Sequence, residues 1–308
     1  MRIFVTGGAG FIGSHVVDRL IADGHAVDVL DNLTTGRRER VHPEARLHVC
    51  DLRDARLETV LATARPEVVV HVAAQAAVPR SVADPIFDAS VNVVGSIALF
   101  EACRRAAVRQ VLYTSTGGAG YGDTGVLPTP EDHPLQPSSP YGVSKITAER
   151  YLECWAGMTG GRALTLRLAN VYGPRQDPAG EAGVIAIFTS RLLAGEPCIV
   201  NGDGQQTRDY VYVGDVADAV ARGVKRNATG IANIGTGAET TVNELHRRLA
   251  RLAGVDCAAQ HAPAKPGEQR RSVLDSTRAK TLLGWSASTA LDEGLTQTVQ
   301  WFRKELRV

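Results

Sequence analysis

The chain predicts an α/β molecule built on a doubly wound parallel sheet, with a smaller lobe interleaved toward its C-terminus. Three observations carry this. Apolar runs of strand length alternate with amphipathic helical stretches over roughly the first 171 residues. Those runs are continuous rather than alternating, which is how strands covered on both faces read. A cluster of glycines separates the first run from the first helical stretch. After about residue 172 the alternation loosens without a visible linker.

The elements follow in order. RIFVT (2–6) is a buried strand, and FIGSHVVDRLIADG (11–24) a helix stopped by Gly24. AVDVLD (26–31) and ARLHVCD (45–51) are strands, followed by a helix over 54–64 and a strand over 67–74. A long helix is expected over 88–107 and a fifth strand over 109–116. ALTLRLANV (163–171) reads as one strand. With right-handed crossovers this series gives a Rossmann-type domain over 1–171. Beyond it come a helix over 184–195, a short strand and helix over 209–226, and a strand over 230–237 that could return to the main sheet. The segments 172–208 and 238–308 form the expected second lobe. Interfaces between such parts host ligands.

Bulk properties exclude several classes. The 308 residues are 44% hydrophobic and 22% charged, with a formal net charge of +1, so no global field draws the chain to nucleic acid or membrane. The basic clusters GRRER (36–40) and HRRLAR (246–251) are short enough to be solvated faces. The five cysteines are scattered and include no C-x-x-C, which argues against a disulfide framework or a zinc site and for reduced thiols in a cytosolic protein. The N-terminus lacks an apolar core of signal-peptide length, and no window is expected to reach membrane-spanning length.

TGGAGFIG (6–13) satisfies G-x-G-x-x-G through Gly8, Gly10 and Gly13, and G-x-x-G-x-x-G through Gly7, Gly10 and Gly13. It follows a strand, opens a helix, and has Asp31 at the end of the next strand, which is the context a dinucleotide site needs. Glycines admit a pyrophosphate close to the backbone, and the helix N-terminus offers it free N–H groups. Asp31 suits ribose hydroxyls and repels a 2′-phosphate, so NAD is favoured over NADP, with Arg37 and Arg38 as the opposing signal.

SSPYGVSK (138–145) sets a tyrosine four residues before a lysine. Pro140 suits the first helical position and Ser139 the N-cap. Tyr141 and Lys145 then lie one turn apart on one helix face. A cation within about 4–6 Å lowers a phenol's pKa by roughly 1–3 units, which makes the pair a proton-transfer device.

The motifs form a set. TGGAGFIGSH (6–15), DNL (31–33), CDLRD (50–54), HVAAQAAVPRSVADP (71–85), VNVVGS (91–96), SPYGVSK (139–145), RLANVYGPRQ (167–176), NGDGQQTRDYVYVGDVADA (201–219), NIGTG (233–237) and KPGEQRRSVLD (265–275) run through nearly the whole chain. In kind and order the set resembles the extended short-chain dehydrogenase/reductases, most closely their UDP-glucose 4-epimerase group. The resemblance implies NAD held by Gly7, Gly10, Phe11, Ile12, Gly13, Asp31, Asn32, Asp51, Leu52, Ala73, Ala74, Gln75 and Asn92, together with Tyr141 and Lys145. It implies that Tyr141 removes the proton of a sugar 4-hydroxyl, that Lys145 holds the nicotinamide ribose, and that Thr116 hydrogen-bonds the same hydroxyl. The stretch after the fifth strand is one glycine longer than the family's pattern, which leaves Ser115 as the alternative to Thr116.

Related 4,6-dehydratases carry an Asp-Glu pair directly after this threonine, and sugar-acid decarboxylases a Glu. Here Gly117 and Gly118 stand there, so C5 chemistry lacks its base. The resemblance therefore implies reversible oxidation at C4, and so epimerisation of a UDP-hexose. Asn170, Arg208 and one of Arg270 and Arg271 would hold the UDP. Ser272 would face the C2 substituent, where a small residue admits N-acetyl sugars. UDP-glucuronate and N-acetylhexosamines are the alternative substrates, and a silent NAD-binding protein the non-enzymatic alternative. The resemblance further implies a homodimer paired through the helices at about 88–107 and 140–157.

Overall fold

A computed structural model describes residues 1–179, 183–264 and 269–306. Strands β1 (Arg2–Thr6), β2 (Ala26–Asp31) and β3 (Arg46–Val49) alternate with helices α1 (Phe11–Ala22) and α2 (Leu57–Ala64). Next come β4 (Val68–His71), the short helices α3 (Val78–Ala83) and α4 (Pro85–Ala89), a π-helical turn at Ser90–Val94, and α5 (Gly95–Arg105). Strand β5 (Gln110–Thr116) runs into the single turn α6 (Gly118–Tyr121), which is followed by α7 (Pro140–Thr159) and β6 (Arg162–Leu168). The remainder comprises β7 (Asn170–Tyr172), α8 (Val184–Leu193), β8 (Ile199–Asn201), β9 (Thr207–Arg208), β10 (Tyr210–Tyr212), α9 (Val213–Lys225), β11 (Gly230–Ile234), β12 (Thr240–Thr241), α10 (Val242–Ala253), β13 (Gln260–Ala262), α11 (Thr277–Leu283) and α12 (Leu291–Leu306).

Seven strands make one parallel sheet in the order β11-β6-β5-β4-β1-β2-β3. The chain winds outward one way from β1 and the other way from β4. The switch point lies between those two strands, and a ligand crevice is expected beyond their carboxyl ends. One face packs against α1, α9 and α11 through Val16, Leu20, Val220, Val224 and Leu283. The other packs against α2, α5 and α7 through Leu61, Leu99, Phe100, Leu152 and Trp155. A third core joins α8, α10 and α12 through Phe188, Leu245, Leu249 and Val299.

Three expectations are corrected. The strand expected over 163–171 breaks at Ala169: the Ala169 N–H donates to the carbonyl of Ile234 (2.9 Å), while that of Asn170 donates to Asp209 (2.9 Å). β7 therefore leaves the main sheet to pair with β10. The helix expected to begin at 88 begins at Pro85, because the Asp84 carboxylate caps it by accepting from the Phe87 N–H (2.9 Å). Finally, the continuous helical run Pro85–Arg105, of 21 residues and mean hydropathy 1.5, is long and apolar enough to cross a membrane by length and composition. In the protein it packs against α7 and buries Asp88, Asn92 and Ser96.

Candidate active site

A cleft of about 1050 Å³ opens beyond the carboxyl ends of β1, β4 and β5. Its floor begins with the glycine turn. Gly7 takes a left-handed φ of 73°, and a Cβ there would lie 2.7 Å from the Ala73 nitrogen. A Cβ on Gly13 would run into the Gly7 carbonyl oxygen. The turn thus brings the start of α1 against the strand ends, and Gly7, Gly10, Phe11, Ile12 and Gly13 line the cleft. Gly8 instead packs inward on Val29. No side chain caps α1, so its first N–H groups remain for a ligand. An uncapped helix start over a cradle that only glycine can form fits a pyrophosphate.

Asp31 closes one end. Its Oδ2 accepts from the Ala9 N–H (3.0 Å) and its Oδ1 from the Leu33 N–H (2.8 Å), while burial raises its pKa. Asn32 donates to Asp51 Oδ2 (2.7 Å) and Arg53 to Asp51 Oδ1 (2.8 Å). Chiefly through Arg53, Asp51 is held well below the usual carboxylate range. Asp31, Asn32, Asp51 and Leu52 all line the cleft, as do Arg37 and Arg40.

Ala73 and Ala74 form the wall after β4. Gln75 and Asn92 stand behind it, both buried. The π turn aims the Asn92 amide at the backbone of Gln75, accepting from its N–H (2.8 Å) and donating to its carbonyl (2.8 Å). One side chain thereby replaces a strand neighbour for this loop. Deeper still, Ser96 donates to the Asn92 carbonyl (2.6 Å), so His71 Nε2–H donates to Ser96 (2.9 Å) and Thr6 donates to His71 Nδ1 (2.8 Å). This assigns the neutral tautomer to a histidine that burial pushes down to about 3.

At the end of β5, Ser115 and Thr116 both line the cleft. Thr116 Oγ1 accepts from the Ala119 N–H (3.3 Å). The buried Ser115 hydroxyl has no partner among the described residues. α7 begins as expected: Ser139 Oγ accepts from the Gly142 N–H (3.2 Å) with Pro140 at the first helical position. Tyr141 lines the cleft. One turn on, Lys145 is 3% exposed, and its Nζ lies 4.3 Å from the centroid of the Tyr113 ring. Burial pushes Lys145 down to about 7, against the opposing pull of Glu149 and Asp88.

At the far end, Asn170, Arg208, Tyr210, Gln176 and Gln269 line the cleft. The expected second arginine is not among the lining residues. Arg271 pairs with Glu239 (2.5 Å) and Arg270 with Asp203 (3.1 Å), because each has a carboxylate within reach on the outer surface. Ser272 is buried and stands behind Gly118: a Cβ on Gly118 would lie 3.0 Å from its hydroxyl. Lys265 to Glu268 of the run 265–275 lie outside the described residues. A Cβ on Gly117 would lie 2.5 Å from Leu274, so the space that a side chain at 117 would enter is already filled. Sequence reasoning missed Gln269 as a lining residue, although it directly follows the PGE triplet. It also missed Asp88, whose burial no local pattern signals.

The family model described as the NAD dependent epimerase/dehydratase family matches residues 3–235. A UDP-glucose 4-epimerase of Mycolicibacterium smegmatis is 48% identical over 99% of both chains. The solved UDP-glucose 4-epimerase of Thermotoga maritima with UDP-glucose superposes with a TM-score of 0.96, at 47% identity over 99% of this chain and 100% of that one. That of Thermus thermophilus in complex with NAD gives 0.94, at 45% identity over 98% and 99% of the two chains. The match spans three quarters of the residues, the likeness to these epimerases runs from end to end, and the glycine cradle, Asp31 and Tyr141 line one cleft with Lys145 buried a turn behind Tyr141: the chain belongs to the NAD dependent epimerase/dehydratase family.

Proposed function

We propose that the chain is an NAD-dependent UDP-sugar 4-epimerase that interconverts UDP-glucose and UDP-galactose through a transient 4-keto sugar. One observation carries this above the family's other chemistries. Thr116 and Tyr141 line one cleft together with Ser115, and the positions after Thr116, Gly117 and Gly118, bring no carboxylate. Proton removal at O4 has its base, whereas proton removal at C5 has none.

The glycine turn and the start of α1 would hold the pyrophosphate of NAD, Asp31 the adenosine ribose, and Asp51 with Leu52 the adenine. Bound NAD supplies a reversible hydride acceptor for C4. Tyr141 takes the 4-hydroxyl proton as the hydride leaves and returns it when the hydride comes back. Lys145, held in a nearly water-free site, stabilises the phenolate and donates to the nicotinamide ribose. Thr116, with Ser115 beside it, hydrogen-bonds the 4-oxygen. Arg208 and Asn170 would hold the UDP while the keto sugar turns over in the cleft and presents either face of C4. Residues 1–171 with 209–237 act as the cofactor domain, and 172–208 with 238–308 as the sugar-nucleotide lobe.

A homodimer extends the reading. Ile86, Val94, Val143 and Tyr151 leave apolar surface exposed on the 85–105 helical run and α7. The proposed compartment is the cytoplasm, in keeping with cysteines that are unpaired among the described residues. N-acetyl forms are a second substrate reading, favoured by the small residues Gly118 and Ser272 at the sugar end. The test is product analysis after incubation with UDP-glucose, UDP-galactose, their N-acetyl forms and UDP-glucuronate. The 4-epimer of the first pair is expected. Turnover of UDP-glucuronate alone, or of none of the panel, contradicts the reading.

A further inference from the structure

Lys145 is almost completely enclosed, and an ammonium in such a place needs a counter-charge. The groups that face it come from several elements. Tyr113 on β5 offers a ring face. His71 on β4 is neutral, since both ring nitrogens are committed to hydroxyls. On its own helix, Tyr141 precedes it by a turn and Glu149 follows by a turn. Both Glu149 oxygens are taken by Arg167, at 2.8 Å for the shortest contact, so most of that charge is already matched. After Glu149, the second carboxylate that favours the Lys145 charge is Asp88 of α4, a helix packed against α7. It is 1% exposed. Its Oδ1 accepts from the Gln75 amide (2.7 Å) and the Asn92 amide (3.1 Å), and its Oδ2 has no partner among the described residues. Asn92 links it onward to Ser144, the neighbour of Lys145 (3.1 Å).

We propose that Asp88 is a positioning residue whose charge, matched by no arginine among the described residues, keeps Lys145 protonated and so fixes the alkaline limit of the Tyr141–Lys145 pair. This rests on the proton-transfer roles proposed above. The Asn92 clamp gives the same carboxylate a second task, because it ties the Lys145 counter-charge to the loop that walls the cofactor end of the cleft.

The test is the pH dependence of kcat in Asp88→Asn and Asp88→Glu. Asparagine is close to isosteric, can still accept through Oδ1, and forfeits no hydrogen bond at Oδ2. The expected result for Asp88→Asn is an alkaline limb moved to lower pH by roughly one unit or more, the usual effect of removing a nearby charge. Bound NAD and KM should change little. In Asp88→Glu, which keeps the charge, the limb should stay within a few tenths of a unit of wild type. A purely structural role predicts equal damage from both variants with the limb unmoved, and that result overturns the proposal. Should Asp88→Asn not fold, a limb displaced in Asp88→Glu as far as one unit would equally overturn it. A wild type that turns over no UDP-sugar would sink the proton-transfer roles and this proposal together. An active wild type with an unmoved limb in Asp88→Asn sinks only Asp88.

Discussion

In the proposed mechanism Tyr141 carries the proton transfer, so removing its oxygen while keeping its ring tests that role. Tyr141→Phe keeps the α7 start, which depends on Ser139 and Pro140. It should lower kcat by about 10²–10⁴-fold, the usual worth of a positioned acid–base group, while NAD stays bound. Initial rates and the NAD content of the purified variant check this, and near-normal kcat would remove Tyr141 from its role. A buried and a half-buried histidine give a second expectation at this scale. His71 is pushed down to about 3 and His15 to about 4, both chiefly by burial. Their folded pKa values lie below the unfolded value near 6.5. The unfolded chain therefore binds more protons in the window between, and stability falls as pH is lowered through it. For His71 alone the slope is about 1.4 kcal/mol per pH unit. Urea unfolding between pH 6.5 and 4.5 measures it, and a flat profile would contradict the burial argument.

Among the elements, the pieces built by local rules were legible in the sequence. The glycine turn announced itself because only glycine can pass under Ala73 at Gly7, and α7 because Ser139 and Pro140 set its first turn. What was illegible depended on distant partners. Nothing in ALTLRLANV signals that Asp209 captures the Asn170 N–H and pulls β7 out of the sheet. The π turn at Ser90–Val94 is invisible to a 3.6-residue period, although Asn92 depends on it to clamp Gln75. Arg271 matched the motif's expectation, yet Glu239, 32 residues away in sequence, holds it at the surface. The segment Gln269–Leu274 also carries a prediction. Ser272 lies behind Gly118, and Gln269 is tied to the Gly122 carbonyl (2.5 Å). Ser272→Tyr must therefore push side-chain volume toward the sugar end. It should cut kcat/KM for UDP-N-acetylgalactosamine at least about tenfold while sparing UDP-galactose, since a steric gate discriminates by size. Equal effects on both sugars would deny Ser272 that role.

For the molecule as a whole, the sheet puts its switch point between β1 and β4, and the two sides of the fold meet over the resulting cleft. On the outer surface, Ile86 is 81% and Val94 57% exposed on the long apolar run, beside Val143 and Tyr151 of α7. Apolar surface on two adjacent helices marks an interaction face. Light scattering at micromolar concentration should give a dimer, and Val94→Arg should shift it toward monomer; a monomeric wild type would refute the assignment. The central claim is that this cleft does C4 chemistry without a C5 base. The most direct measurement is turnover of UDP-galactose in D₂O, with the product read by NMR. The expected product is UDP-glucose with protium retained at C4 and C5 and no net reduced cofactor. Deuterium at C5, or a dehydrated 4-keto-6-deoxy product, would contradict it.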